Sequence, residues 1–375
     1  MRTLFLRKFI FILLHFVVFC SFSQDHNSVF YESNSNETLK SNFVSLHIKN
    51  SNFFRNNEYF SKLTDGQTFI GFYLDPSIYF EQKRIKIEAG FSSLKYFGTN
   101  IFSSTKPIFS IRYKFNPKFT FIFGSLKGNF NHKLLEPIYG FENYFERKTE
   151  NGFQFLINNR FLNSDIWIDW QKFIFQDDPS QEEFTVGTSS RFFVFPESKN
   201  FNLIFQSLVT HKGGQIDISD DNLQTLANTA SGIEYKKNEE SSILNSYGFQ
   251  SYFLTFNDLS FKSTLAFTKG FGIFNNVFLN FKYFNLDIAY WNANHFIAPK
   301  GEILFQSISD KFEKNYTEPQ KQLLISKISL IFLSKENVNF ALKFDSYYDI
   351  LSQNFDFSYG FVILFEKEFF RKNLK

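Results

Sequence analysis

The stretch PIFSIRYKFNPKFTFIFGSLKG, residues 107–128, carries an apolar residue at almost every second position. Phe109, Ile111, Tyr113 and Phe115 alternate with Ser110, Arg112 and Lys114. After Asn116, Pro117 and Lys118 the beat resumes at Phe119, Phe121 and Phe123. A period of two places one set of side chains on each face of an extended strand. Asn-Pro favours a turn, and Pro cannot pair inside a sheet. The stretch reads as two antiparallel strands joined at residues 116–117, with an aromatic face opposite a charged one.

The same pattern recurs along the chain. Ile70, Phe72, Leu74, Ile78 and Phe80 alternate with Gly71, Tyr73, Asp75 and Ser77. Leu259, Phe261, Leu265 and Phe267 alternate with Ser260, Lys262 and Thr264, and residues 354–366 repeat the pattern with six aromatic or aliphatic positions. No comparable helical period occurs. Phe accounts for 58 of 375 residues, and AT-rich coding raises Phe content without explaining its alternation.

Two architectures alternate in this way. A soluble sandwich turns its apolar faces inward. A transmembrane barrel turns them to lipid and keeps the lumen polar. The segment lengths match the roughly 9–11 residues of a tilted spanning strand. The aromatic load matches interfacial girdles. The first residues match export: Arg2, Arg7 and Lys8 precede an apolar run from Phe9 to Cys20, with Ser21 and Ser23 placed for a cut before Gln24. The expected organisation is a leader at 1–23, a periplasmic segment at 24–40 and an all-β, up-and-down barrel over 41–375.

Connection lengths give a second test, because periplasmic turns are short and extracellular loops long. Strands read near 41–50, 67–80, 84–95, 107–115, 118–128, 151–160, 164–175, 182–194 and 201–212. The series continues at 244–256, 259–268, 276–284, 286–295, 322–333, 338–347 and 354–366. The total is about 16, with 14 or 18 still open. Odd-numbered connections are mostly the longer ones, provided the polar segment 213–243 holds no spanning strand or a pair of them. Pro76 falls mid-strand and predicts a bulge or kink.

Charge and cysteine exclude several functions. The chain has 40 basic and 37 acidic residues, and removal of the leader leaves 37 of each. No basic field suggests nucleic acid. The single cysteine, Cys20, lies in the leader, so disulfides and thiolate metal sites are excluded. No phosphate-binding loop, HExxH or GxSxG occurs. His26, His47, His132, His211 and His295 are too scattered for a local metal site, and no metal or cofactor is expected. His132 and His211 are candidate bases without a marked nucleophile, so the expectation is a barrel that is not an enzyme.

The projected lumen face carries both signs. Its candidate residues are Lys86, Glu88, Arg112, Lys114, Trp167, Asp169, Arg191, Lys262, Asp287, Trp291, Lys343 and Asp345. Trp167 and Trp291 beside Asp could stack on a sugar or anchor the chain at a membrane interface. Segment 129–150 mixes Leu134, Ile138, Phe141 and Phe145 with acids, and suits either an inward-folded constriction or a cap on the rim.

With SFSQ ending the leader, Phe-rich alternating strands and a Phe-rich final strand, the chain resembles porin-like outer-membrane β-barrel proteins of Bacteroidetes-type bacteria. The stretch NNEYFSKLTDGQTFIGFYLDPSIYF looks specific to a family. The resemblance implies insertion by the barrel-assembly machinery and an outer surface facing outer-membrane lipid and lipopolysaccharide. The expected function is a channel or small-solute transporter narrowed by loops such as 129–150 or 213–243. A plugged surface-assembly barrel binding a partner or polysaccharide is the alternative, and a barrel hydrolase the third.

Overall fold

The computed structural model describes residue 30 and residues 42–239, 243–309, 316–335 and 337–373. The expected leader lies outside these residues, as does segment 24–40 apart from Phe30. Sixteen antiparallel strands close into one barrel. They are β1 (Phe43–Glu58), β2 (Thr68–Gln82), β3 (Ile85–Tyr96), β4 (Ser104–Asn116), β5 (Phe119–Ser125), β6 (Asn151–Asn158), β7 (Leu162–Lys172) and β8 (Glu183–Phe193). Then come β9 (Phe201–Lys212), β10 (Gln224–Asn238), β11 (Leu244–Asp258), β12 (Lys269–Phe281) and β13 (Phe284–Asn294). A short ribbon of β14 (Ile308–Ser309) and β15 (Tyr316–Thr317) interrupts the wall, which resumes with β16 (Gln320–Lys335), β17 (Val338–Asp349) and β18 (Phe355–Asn373). Closure runs through β1 and β18, from Phe43 opposite Asn373 to Glu58 opposite Phe357.

The opening hairpin forms β4 and β5, with Asn116 Oδ1 accepting the Lys118 amide at 2.8 Å across the turn. Phe109, Ile111, Phe115, Phe119, Phe121 and Phe123 share the outer face, and Arg112 and Lys114 share the inner one. Outer-face rings stack across strands, as Phe119 does on Phe155 and Phe121 on Phe153. Connections on one end span only a few residues, such as 83–84, 117–118 and 282–283, whereas those on the other reach 126–150 and 295–319. That asymmetry places the short turns on the periplasmic side.

The strand number matches the sequence reading, but two assignments change. Residues 213–243 hold one spanning strand, β10, and residues 259–268 hold none. The two differences cancel in the count and preserve the parity. Pro76 sits in β2 without a bulge. The β1–β2 register runs through it unbroken, and the β2–β3 ladder resumes at Ser77 opposite Gly90 in the same register.

The lumen is filled. Segment 129–150 folds inward, with a 3₁₀ turn at Asn129–His132 and one helical turn at Asn143–Glu146. Residues 295–309 join it from the opposite wall. The two are tied by backbone bonds, Gly140 N–H to Lys300 O at 2.7 Å and Glu302 N–H to Glu136 O at 3.0 Å. Together they form a plug whose Ile138, Phe296, Leu304 and Phe305 pack against Leu208, Leu254, Phe256, Trp291 and Tyr347 of the wall. A second cluster gathers Phe30, Phe141, Tyr144 and Phe145 against Phe53, Phe69 and Tyr73. Each large side chain so buried contributes about 1.5–3 kcal/mol.

Four inner-wall glycines make room for aromatic rings. A methyl group on Gly187 would lie 2.1 Å from the Trp167 ring, and one on Gly272 equally close to Trp291. Gly232 and Gly248 are covered in the same way by Tyr252 and Phe278. Each ring fills the space that a side chain at the glycine would take, a cross-strand packing that helps to pin strand register.

The two faces of β5 differ in what a charge would cost. Phe123→Arg, on the lipid face, should lower insertion stability by about 2–4 kcal/mol, with a smaller loss for Phe121→Arg nearer the turn. Folded fractions in lipid vesicles, read by heat-modifiable gel mobility, would show it. Arg112→Ala should insert as the wild type does, and equal losses for all three variants would refute the assignment of faces.

Candidate functional site

The residues expected on the lumen face now have places. Arg112 meets Glu88 at 3.5 Å, and Glu88 also accepts the Tyr79 hydroxyl at 2.7 Å. Lys86 stands 3.9 Å from Glu81, and Lys114 lies on the same inner face of β4. Asp169 accepts Arg147 of the plug at 2.9 Å, Arg191 meets Glu234 at 3.0 Å, and Asp287 accepts Asn276 at 3.1 Å. Asp345 pairs with Arg55 at 3.0 Å, and the Lys343 ammonium lies 4.4 Å from the Phe141 ring. Lys262 is the exception, because it belongs to the exposed extracellular connection 259–268. Trp167 and Trp291 are buried inside the barrel over Gly187 and Gly272, which excludes the interface-anchor reading. Trp170, one position from the inner face, is the tryptophan that faces outward.

Three histidines lie beside hydroxyl or carboxyl groups, and their surroundings separate them. His132, in the plug, is clamped between Glu150 (2.7 Å) and Asp165 (2.8 Å) and stacks on Trp167 at 3.6 Å. Burial alone would lower its pKa, but the Glu150 and Asp165 carboxylates outweigh burial and raise it to about 10. Both ring nitrogens therefore donate, and neither can take a proton from a substrate. The expectation that His132 could act as a base is corrected on that ground. His47, on the inner wall at the periplasmic end of β1, approaches Ser45 (2.9 Å) and Glu368 (3.7 Å) through the same nitrogen. Ser45 is fully buried, so no substrate reaches its hydroxyl.

His211 is different. It lies on the outer, lipid-facing side of β9, one residue from the strand's extracellular end. Its Nε2 lies 3.1 Å from the Gly213 carbonyl, which can only accept, so in the neutral ring Nε2 carries the proton. The bare Nδ1 then accepts the Thr225 hydroxyl of β10 at 2.8 Å. Register puts this pair in one outer-face row: Trp170 opposite Phe184, Phe184 opposite His211, His211 opposite Thr225. Trp170 stacks on Phe184 at 5.3 Å, and Phe184 lies 4.8 Å from the His211 ring. Hydroxyl, base and a group orienting the base are the elements of an activated nucleophile. An apolar platform continues directly beside them.

A second polar cluster occupies the same rim on the β1–β2 side. Asn56 donates to Glu58 at 2.6 Å and to the Tyr359 hydroxyl at 3.2 Å, and Thr68 donates to Asn56. All four residues face outward. Among the described residues, no group of three or more His, Cys, Asp or Glu side chains is arranged to hold a metal.

With this geometry in place, a model of the lipid A 3′-O-deacylase-type family matches residues 34–374. The chain belongs to that family. Membership overturns the expectation of a non-enzymatic barrel, because the family is one of enzymes. No curated protein matches the chain. Among solved structures, OprD of Pseudomonas aeruginosa superposes with a TM-score of 0.54 at 8% identity, covering 94% of this chain and 100% of that one. A loop-deletion form of OmpT, an outer-membrane protein of Vibrio cholerae, gives 0.51 at 7% identity, covering 86% and 99%. These likenesses show the fold, a closed sixteen-strand barrel with the architecture of outer-membrane porins.

Sequence spacing could not separate His132 from His211, since their partners come from distant positions. The polar cluster around Asn56 falls inside the stretch already noted as family-specific.

Two plug residues give measurable consequences. His132→Gln leaves Glu150 and Asp165 buried without their cation and should cost about 3–5 kcal/mol in denaturant unfolding. An unchanged midpoint would sink the clamp. Glu302 is buried with neither carboxyl oxygen hydrogen-bonded among the described residues. Burial, then the Glu142 and Glu136 carboxylates, push it up to about 8 from 4.5. The folded state thus holds a proton that the unfolded chain loses first, so stability falls as pH rises from about 4.5 to 8 and levels off above. Glu302→Gln should flatten that slope in thermal unfolding followed across the same range.

Proposed function

We propose that the protein hydrolyses an acyl ester of lipid A from the outer leaflet, on the outside of its barrel. The Thr225–His211–Gly213 relay on the lipid-facing wall carries this reading. It stands at the ends of β9 and β10 that the connection lengths assign to the extracellular side, the end at which the outer leaflet's sugar and ester groups would lie. Trp170 and Phe184 offer an apolar surface for an acyl chain. The family's printed activity supplies the substrate class.

In the reaction, the Thr225 oxygen attacks the ester carbonyl carbon while Nδ1 of His211 takes the hydroxyl proton. The carbon–oxygen bond to the sugar breaks, and the sugar oxygen leaves with that proton. Water, deprotonated by the same nitrogen, then cleaves the acyl-threonine and releases the fatty acid and a restored hydroxyl. The Gly213 carbonyl holds the ring in the tautomer that leaves Nδ1 bare.

The channel reading has the plug against it, since the wall and plug bury Phe256, Trp291, Phe296 and Phe305 completely. Planar-bilayer conductance would test it directly. A plugged barrel that binds a partner fits the filled lumen and is compatible with an enzyme outside.

Purified protein incubated with lipid A should release fatty acid, followed by mass spectrometry. Thr225→Val and His211→Gln should each lower the rate by about 10²–10⁴-fold while the barrel stays heat-modifiable. Full activity in both variants would reject the relay. If Glu58→Gln or Asn56→Ala abolishes turnover instead, the reaction belongs to the β1–β2 cluster, whose hydrogen-bonded Asn, Glu and Thr favour that second placement. A wild-type protein that leaves lipid A intact would overturn the deacylase reading as a whole.

A further inference from the structure

Beneath the plug, on the periplasmic side, the inner wall encloses a cavity of about 410 Å³. Its roof is the plug segment from Lys133 to Glu136, and Arg191 and Phe278 lie near the periplasmic ends of β8 and β12. This volume falls in the range of small-ligand pockets, roughly 300–1,000 Å³.

A band of polar side chains crosses the cavity wall. Glu234 accepts Arg191 (3.0 Å), Asn202 (3.0 Å) and Gln250 (2.7 Å), and Asn276 bridges Gln250 (3.5 Å) and Asp287 (3.1 Å). These residues come from six successive strands, β8 to β13. Two ion pairs lie within the site, Arg191 on Glu234 and Lys327 on Glu136, and Lys133, Lys236 and Asp287 also line it. Yet hydrogen-bonding capacity is left over. Among the described residues, the carbonyl oxygen of Asn276, 9% exposed, has no donor, and Nε of Arg191 has no acceptor. Buried polar groups normally find partners, so an orphan acceptor and an orphan donor in one cavity point to a ligand that both gives and takes hydrogen bonds.

The cavity is also aromatic. Tyr252 and Phe278 fill the space beside Gly232 and Gly248, and Phe274 adds a third ring to the lining. Aromatic rings beside amides and a carboxylate–guanidinium pair suit a neutral ring bearing hydroxyls: its C–H groups pack on the aromatic lining and its hydroxyls satisfy both orphan types. Arg191 and Glu234 neutralise each other, so an ionic ligand would have to displace one of them and pay its desolvation.

We infer that this periplasm-facing cavity is a saccharide-binding site for a neutral sugar of one or two rings, separate from the lipid-facing relay.

The test uses the full barrel in detergent with maltose and N,N′-diacetylchitobiose as probes, followed by saturation-transfer NMR. At least one probe should show transfer to its ring protons at concentrations up to about 10 mM. Asn276→Ala and Gln250→Ala should each weaken binding about 3–10-fold, the loss expected for one hydrogen bond. Both variants should keep wild-type heat-modifiable mobility, and fatty-acid release should be unchanged. Absence of transfer from both probes overturns the assignment, as does wild-type affinity in both folded variants.

Discussion

Everything in this molecule follows from the requirement that no strand edge be left open in hydrocarbon. An unpaired amide or carbonyl there costs several kcal/mol, and a wall of sixteen strands would carry two such edges. Pairing of β1 with β18 along nearly their whole length removes both. Once closed, the pleat leaves each side chain only two destinations, lipid or lumen. Closure also creates a second interior. The lumen is wide, and here much of it is occupied by residues 129–150 and 295–309, so the inner wall must meet a protein core. Leu208, Leu254, Phe256 and Ile325 point inward for that reason. Ions admitted to this core are paired, as Arg55 is with Asp345 and His132 with two carboxylates.

That second interior marks where sequence reading stops. Strands whose inner face is polar were legible residue by residue: β4 puts Phe109, Ile111, Tyr113 and Phe115 outward and Ser110, Arg112 and Lys114 inward. β10 mixes both kinds on each face. Leu226 and Ala230 face inward beside Asn228 and Glu234, while Thr225, Thr229 and Ser231 face out beside Ala227 and Ile233. The outward hydroxyls are tolerable because they bond across strands, Thr229 to Thr255 at 2.7 Å and Ser164 to Ser190 at 2.7 Å. With little apolar contrast in the expected sense, the segment looks like a loop. Conversely, 259–268 alternates well but has no strand neighbour to pair with. Periodicity reports contrast between two faces, and it fails where a plug makes the inner face apolar.

The candidate site was legible only in part for a related reason. His132 and His211 both stand among polar residues in sequence, and nothing local distinguishes them. The distinction lies in partners supplied by strands folded onto them. Asp165, from β7, completes the clamp that fixes His132 as a cation. Thr225, from the strand whose pattern is mixed, supplies the hydroxyl at His211. A missed strand therefore meant that the hydroxyl proposed as nucleophile was missed too.

Placing chemistry on the outer wall also removes any need for an open lumen. On the proposed reading a lipid substrate would arrive by lateral diffusion in the leaflet, and the interior would be free to serve as a rigid support. The same strands carry both faces: β9 presents His211 to lipid and buries Leu208 against the plug side, and β10 presents Thr225 outward and buries its neighbour Leu226. The 2.8 Å contact between His211 and Thr225 depends on the β9–β10 register, which those buried neighbours help to fix. A relay built on paired strands, with a packed core behind them, keeps its geometry without a lid or a moving loop. The plug that closes the pore is, on this argument, what holds the enzyme's outer surface in register.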